Sequence, residues 1–172
     1  MHLSSLQNMT KALEMISLDT NNKIKVLDVG GRGLRGDRSY FSIIGAYSSE
    51  YHIADIAEGE NVTHVMPENY KIPVADEYYD LIVSGQTLEH VKNPFRLVNE
   101  MVRALKKNSY IILIAPSSGP RHDSIDCWRF MDDSFKAIAE ECNLTVIGDW
   151  IDSTSTDKKS MAWCDHVFVG KK

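Results

Sequence analysis

The feature that most constrains the fold is a short apolar run that ends in a cluster of glycines. The run Ile24-Lys25-Val26-Leu27-Asp28-Val29 has the β-branched, apolar composition of a buried strand. Gly30-Gly31-Arg32-Gly33 follows at once, and glycine tolerates backbone conformations that other residues avoid. A buried strand that runs directly into such a turn is typical of the first unit of an open, parallel α/β sheet.

Strands and helices alternate along the rest of the chain. Apolar residues at helical spacing predict helices over residues 1–20, 39–47, 94–105 and 132–142, and compact apolar runs predict strands over 24–29, 51–55, 61–65, 79–84, 110–115, 144–151 and 166–170. The run Tyr110–Ala115 is almost wholly apolar, as expected where helices cover both faces of a sheet. This order predicts a Rossmann-like, doubly wound α/β fold with a mostly parallel seven-stranded sheet and a C-terminal antiparallel hairpin.

Length, charge and cysteine usage restrict the class of protein. The 172 residues suit a single domain, 1–172, with an N-terminal helix over 1–20 and an α/β core over 24–172. A net charge of −5 without a basic patch argues against a nucleic-acid partner. Cys127, Cys142 and Cys164 lack CxxC spacing, which favours a reducing compartment such as the cytoplasm. No signal peptide and no apolar stretch of about 20 residues is visible, so no membrane span is expected.

Two acidic residues are candidates for ligand binding at the ends of the first two strands. Asp28 comes just before the glycine cluster, and Asp55 ends the strand Tyr51–Asp55. A carboxylate at the end of the second strand can accept hydrogen bonds from two adjacent ribose hydroxyls. The alternative for Asp55 is a solvated loop aspartate, and for the glycines a turn that is glycine-rich for steric reasons alone.

Consecutive segments of the chain resemble the motifs of the class I S-adenosylmethionine (SAM)-dependent methyltransferases. They are VLDVGGRG, an acidic end to the second strand, IPVADEYYDLIVSGQTLEHVKNP and LKKNSYIILIAPS, and together they cover roughly residues 24–147. The sharpest part runs from Tyr79-Asp80 through Leu88-Glu89-His90-Val91 to Pro94, and it resembles the broad group called type 11. A substrate-side segment, His122 to Phe130, is similar to members found among surface-glycan and secondary-metabolite genes.

The resemblance implies SAM as the cofactor and assigns residues to its parts. Asp28 and Gly30 are expected to meet the methionine part, Asp55 the ribose, Asp76 or its neighbours the adenine, and Gln86 the sulfonium, with Gly31, Gly33 and Ile56 completing the cofactor-binding set. Arg32 and Leu34 stand where the family usually has its later glycines, so Gly31 and Gly33 are expected to compensate by a shifted loop. A dinucleotide enzyme is the competing interpretation, but GGRGLRG does not give Gly-x-Gly-x-x-Gly in register from Gly30.

Methyl transfer to a hydroxyl needs an aligned acceptor and a base for its proton. His122 and Asp123 are the predicted catalytic pair, with Asp126 nearby, and a surface histidine is the alternative. His90, Trp128 and Arg129 are the candidate acceptor-binding residues. For Trp128 and Arg129, the alternative is that they only pack within a loop that covers the site.

A metal site is not expected from the sequence. Glu89-His90 resembles a pair that some quinone O-methyltransferases use, with a preceding glutamate, to hold a divalent metal. Gln86 replaces that glutamate here and removes a charge that hard cations prefer.

The predicted function is SAM-dependent methyl transfer, O-directed, to a small hydroxylated acceptor such as a sugar unit of a surface glycan. The alternative is a noncatalytic SAM-binding module. The chain has little material for a cap over the acceptor, so the second copy of a homodimer is the candidate to complete the pocket.

Overall fold

The computed structural model describes residues 3–18, 22–33, 36, 39–67, 70–154 and 162–172. Its helices are α1 (Leu3–Glu14), α2 (Phe41–Ile44), α3 (Pro94–Ala104) and α4 (Ser134–Glu141), with short 3-10 turns at Gly45–Tyr47 and Leu88–His90. Its strands are β1 (Ile24–Val29), β2 (Ser48–Asp55), β3 (His64–Val65), β4 (Tyr79–Gly85), β5 (Leu105–Pro116), β6 (Thr145–Ile151) and β7 (Asp165–Lys171). Leu34 and both ends of the predicted N-terminal segment, 1–2 and 19–20, lie outside the described residues.

The seven strands form one sheet in the order β3-β2-β1-β4-β5-β7-β6. Strands β1 to β5 pair in parallel, whereas β7 pairs antiparallel with both β5 and β6. The predicted mostly parallel sheet with a C-terminal antiparallel hairpin is therefore confirmed. The chain direction across the sheet reverses between β1 and β4, and ligands of such folds bind outside the carboxyl ends of the strands at this point.

Side chains alternate between two hydrophobic layers, one on each face of the sheet. Val26 of β1 packs with the layer under α1 and α2, whereas Leu27 packs with the layer under α3 and α4. Both side chains are fully buried. Burial of one such side chain stabilises the fold by about 1.5–3 kcal/mol, which explains why these strands are apolar on both faces.

Two of the boundaries that differ from the sequence prediction bear on the site or on the packing of the sheet. Helix α3 ends at Ala104, because Leu105 is extended and pairs with Tyr79, so that Lys106 and the residues after it belong to β5 and not to the helix end. Strand β3 contains only His64 and Val65, whereas 61–65 was predicted. Asn61 lies outside the strand, and its side chain bonds the glycine loop.

Helix α1 is anchored to the sheet through polar side chains. The hydroxyl of Ser4 donates to Asp165 Oδ2 at 3.2 Å, Ser5 and the Tyr40 hydroxyl lie 2.7 Å apart, and Asn8 Nδ2 donates to Asp152 at 3.1 Å. Met9 is buried as its helical spacing predicts, but Leu3 is 60% exposed. None of the helices in the described ranges is long and apolar enough to cross a membrane.

Candidate functional site

Most of the predicted site residues meet at one edge of the sheet. The carboxyl ends of β1, β2, β4 and β5 lead into Gly30, Asp55, Gln86 and the loop that begins at Ser117. Because these strands run parallel, their ends lie side by side, and the loops that follow them face the same space. The loops after β1 and β2 form one side of this edge, called here the cofactor side. The loops after β4 and β5 form the other side.

The first two glycines of the loop are required by close approach. Gly30 has a φ of +90°, and its N–H donates to the carbonyl oxygen of Ala54 at 2.8 Å. A Cβ at Gly30 would lie 2.0 Å from Thr87 Oγ1, and a Cβ at Gly31 would lie 2.7 Å from Asp28 Oδ2. The glycines thus let the backbone approach Thr87, which follows β4, and Asp28, near the end of β1.

Asn61 holds the glycine loop in place. Its Oδ1 accepts from the Gly33 N–H at 3.0 Å, and its Nδ2 donates to the Gly31 carbonyl at 3.0 Å. These two bonds bracket Arg32 and fix the path of the loop. The sequence carries no local signal for this role, because Asn61 lies about 30 residues away along the chain.

Asp28 is a buried acid beside a cavity at this edge. It is 3% exposed, and its Oδ2 accepts from the hydroxyl of Tyr51 at 2.9 Å. Burial raises the pKa of Asp28 to about 7, and the hydrogen bond from Tyr51 opposes only part of that effect. The cavity has a volume of about 370 Å³ and is lined by Asp28, Tyr51, Ser39, Phe41 and Asn61 among others.

Asp55 already has a cationic partner. Its Oδ1 accepts from Arg32 Nε at 3.1 Å and from the Ala57 N–H at 3.2 Å. The Asp55 side chain is 12% exposed and that of Arg32 is 50% exposed. Ile56, the next predicted cofactor residue, points out at the same edge with 63% exposure. The carboxylate expected to meet a ribose is therefore paired with a half-exposed arginine.

Gln86 lies at the carboxyl end of β4, as expected. It has a positive φ of 57°, and its N–H donates to the Ile114 carbonyl at 2.8 Å. Its side-chain Nε2 donates to Asp165 Oδ1 at 2.9 Å, and Asp165 also accepts from Ser4. The side chain of Gln86 thus joins β4, β7 and α1.

The structure does not bring Asp76, the residue predicted to meet the adenine, to the other predicted cofactor residues. Asp76 precedes β4, so it lies at the amino edge of the sheet, opposite the edge that carries Gly30 and Asp55. Its side chain is 75% exposed and pairs with Arg103 of α3 at 2.5 Å. The residues that follow β3 at the carboxyl edge are Met66 and Pro67.

His122 contacts Asp126 and not the predicted Asp123. Its Nδ1 lies 3.0 Å from Asp126 Oδ2, and its backbone N–H donates to the same oxygen at 2.9 Å. The carboxylate of Asp123 instead accepts from the backbone N–H and the hydroxyl of Ser124. Asp123 is adjacent to His122 in the sequence, but the turn of the loop brings Asp126, four positions after His122, to the imidazole.

Arg129 organises this loop. Its guanidinium bonds both carboxylate oxygens of Asp126 and the carbonyls of Gly119, Pro120 and Trp128, which uses all five N–H donors. The guanidinium holds the pKa of the Asp126 carboxyl well below its usual range. Its predicted contact with an acceptor would require it to leave these partners. Trp128, 43% exposed, donates from Nε1 to the Val91 carbonyl.

Three possible ligand groups converge beside this loop. Glu89 is completely buried, and within the described ranges neither of its carboxylate oxygens has a hydrogen-bond partner. One donor atom from each of Glu89, His90 and His122 lies within 4.8 Å of the other two. Burial raises the pKa of Glu89 to about 7. Glu89 and His90 are neighbours in the sequence, but nothing in the sequence indicates that His122, from the loop after β5, lies beside them.

Comparisons with known proteins show which family and fold this chain resembles. A family model described as a methyltransferase domain, of type 11, matches residues 38–113. A SAM-dependent methyltransferase from Aquifex aeolicus superimposes with a TM-score of 0.67 at 17% identity, covering 98% of this chain and 90% of that one. The chain has the fold of the class I methyltransferases, and residues 38–113 match the methyltransferase family model. The resemblance to this family and its fold is thereby confirmed, and the predicted cofactor, SAM, agrees with it.

Two further relatives place the domain in context. The 1,6-didemethyltoxoflavin-N1-methyltransferase of Burkholderia thailandensis, solved with S-adenosylhomocysteine, has a TM-score of 0.72 at 12% identity, covering 98% of this chain and 80% of that one. The biotin biosynthesis bifunctional protein BioHC of Teredinibacter turnerae is 26% identical over 167 residues, which cover 79% of this chain. The matched part spans only 29% of the length of that relative.

Proposed function

We propose that this methyltransferase domain binds SAM at the carboxyl edge of β1 and β2 and transfers its methyl group to a small acceptor. The arrangement of Asp28, the glycine loop and Asp55 along this edge carries the proposal. The buried carboxyl of Asp28 suits the cationic methionine part of SAM, since a positive charge stabilises its ionised form. The oxygens of Asp55 suit two ribose hydroxyls once Arg32 moves away.

Calorimetric titration tests cofactor binding. The protein is titrated with SAM, with S-adenosylhomocysteine and with NAD as the control ligand. We expect saturable 1:1 binding of the two sulfur ligands that is lost in Asp55→Ala and retained in Asp76→Ala, because Asp76 is an exposed acid at the opposite edge. Equal loss in both variants, or binding of NAD alone, would refute the proposed site.

The acceptor is proposed to be a small hydroxylated molecule, such as a sugar or glycan-related metabolite, that enters on the side formed after β4 and β5. His122 is proposed as the base, oriented by Asp126 at 3.0 Å, and its side chain is 34% exposed. Trp128, Ile125 and Met131 are exposed apolar side chains along the same stretch and offer a surface to the carbon skeleton of an acceptor.

Transfer of a labelled methyl group from SAM tests the acceptor class. We expect transfer to polyhydroxylated acceptors in preference to matched amines, and a loss of about 100-fold or more in His122→Ala at unchanged SAM affinity. His64→Ala is the matched control, because His64 bonds the Tyr79 hydroxyl in another part of the fold. Transfer to amines alone would overturn the O-directed assignment.

A binding module without transfer is the second candidate function. The ion pair between Arg32 and Asp55 favours it, because the pair competes with the ribose. SAM affinity without transfer to any acceptor of the panel would support this candidate. We further propose, on the sequence prediction alone, a cytoplasmic protein whose second copy completes the acceptor pocket, and light scattering at twice 19.4 kDa is the expected result.

A further inference from the structure

The carboxylate of Glu89 is buried without a compensating partner. Glu89 has no exposed surface, and across the described residues neither Oε1 nor Oε2 makes a hydrogen bond. An ionised carboxylate taken out of water costs several kcal/mol unless a cation or a hydrogen-bond donor accompanies it. Such a group beside two imidazoles at a ligand-binding edge points to a positively charged ligand.

The two histidines beside Glu89 are placed to bind a metal ion. His90 Nε2 lies 3.6 Å from Glu89 Oε1, and one donor atom from each of Glu89, His90 and His122 lies within 4.8 Å of the others. Donors that share one ion at about 2.0–2.2 Å lie roughly 3–3.5 Å apart. Side-chain movements of about 1 Å bring the three groups to that spacing.

Hydrogen bonds fix which ring nitrogen each histidine offers. His90 Nδ1 lies 2.6 Å from the carbonyl oxygen of Ile125, and His122 Nδ1 lies 3.0 Å from Asp126 Oδ2. A carbonyl and an ionised carboxylate can only accept, so Nδ1 carries the proton in both rings and Nε2 keeps its lone pair. Metal-binding histidines are held in this way by a carbonyl or carboxylate behind the ring.

We propose that Glu89, His90 and His122 bind one divalent transition-metal ion such as Zn²⁺. Two imidazoles and one carboxylate suit such ions and leave open positions for water or acceptor oxygens. Gln86 takes no part, because its amide bonds Asp165. The sequence predicts no metal on account of Gln86, but the third ligand comes from the loop after β5.

The metal site is independent of SAM binding, since none of its three residues contributes to the cofactor side of the edge. A metal there lowers the pKa of a bound hydroxyl. With a metal bound, His122 Nε2 would be engaged, and the acceptor hydroxyl would lose its proton to solvent water and not to His122.

Titration of the chelator-treated, untagged full chain with Zn²⁺ alone, in the absence of SAM, tests the site. Calorimetry is expected to give 1:1 binding, and Glu89→Gln and His122→Ala are each expected to weaken it at least tenfold. The control variants Cys127→Ser and His64→Ala, which change other potential zinc ligands, are expected to bind as the wild type does.

Thermal unfolding gives a second readout that requires no activity. At about 100 times the dissociation constant, Zn²⁺ is expected to raise the Tm of the wild type by about 5–10 °C and to leave Glu89→Gln nearly unchanged. The Tm of each variant in chelator shows whether it folds, and His122→Ala alters only a partly exposed loop residue. Absence of 1:1 binding, binding unchanged in both ligand variants, or loss in either control would overturn the site.

Discussion

The ion pair between Arg32 and Asp55 predicts that removal of an arginine tightens cofactor binding. Arg32 Nε contacts Asp55 Oδ1 at 3.1 Å, on the carboxylate proposed to meet the ribose. SAM must displace Arg32 before Asp55 can accept hydrogen bonds from the ribose hydroxyls. The free energy of the Arg32–Asp55 pair therefore reduces the free energy gained when SAM binds. Arg32→Ala removes the competition and leaves Asp55 with its hydrogen bond from the Ala57 N–H.

The magnitude follows from the exposure of the pair. Partly exposed ion pairs contribute about 0.2–1 kcal/mol, and the low exposure of Asp55, 12%, favours the upper end. This range corresponds to an affinity gain of about 1.5- to 5-fold for both SAM and S-adenosylhomocysteine. The gain is expected to shrink at high salt, because salt weakens the pair in the wild type.

Calorimetry on a double-mutant cycle measures this effect. Arg32→Ala is expected to improve affinity in the wild-type background and to change nothing in the Asp55→Ala background. Arg96→Ala, a substitution on α3, controls for the loss of one positive charge. Weaker binding by Arg32→Ala would refute the reasoning, because Arg32 would then be a ligand contact and not a competitor.

Further predictions concern Asp28 and the glycine loop. Burial raises the pKa of Asp28 to about 7, so its carboxylate becomes protonated as the pH falls from 7 to 5. The cationic ligand SAM should then bind more weakly, by up to about tenfold per pH unit. Calorimetric titrations at each pH should show that Asp28→Asn removes this dependence. Gly30→Ala should lower the free energy of unfolding in urea by about 2–4 kcal/mol through the clash with Thr87. Gly33→Ala, which adds a Cβ in open space, should cost only about 1 kcal/mol; equal losses would contradict the packing argument.

The sequence predicts the sheet well because its signals are local. The apolar run of β1 and the glycines after it identify the first strand and its turn, and the order of the later runs predicts the mostly parallel sheet. Asp76 lies away from Asp55 for a topological reason: a residue that precedes a parallel strand lies at the opposite edge from one that follows it.

Contacts between distant loops could not be read from the sequence. Asn61 reaches the glycine loop and Arg32 reaches Asp55 through side-chain geometry that has no periodic pattern. His122 meets Glu89 only because the loops after β4 and β5 pack together at one edge. The sequence shows each of these residues, but the distances between them depend on how the loops fold.

The polar anchoring of α1 has a consequence for the order in which the fold assembles. Ser4 and its acceptor Asp165 are 161 residues apart, so the first helix is held by one of the last strands. During synthesis from the N-terminus, α1 emerges long before its partner exists, and contacts of such sequence separation form slowly. We therefore expect α1 to dock late in folding, and the carboxyl edge under it to be completed only after β7 has paired.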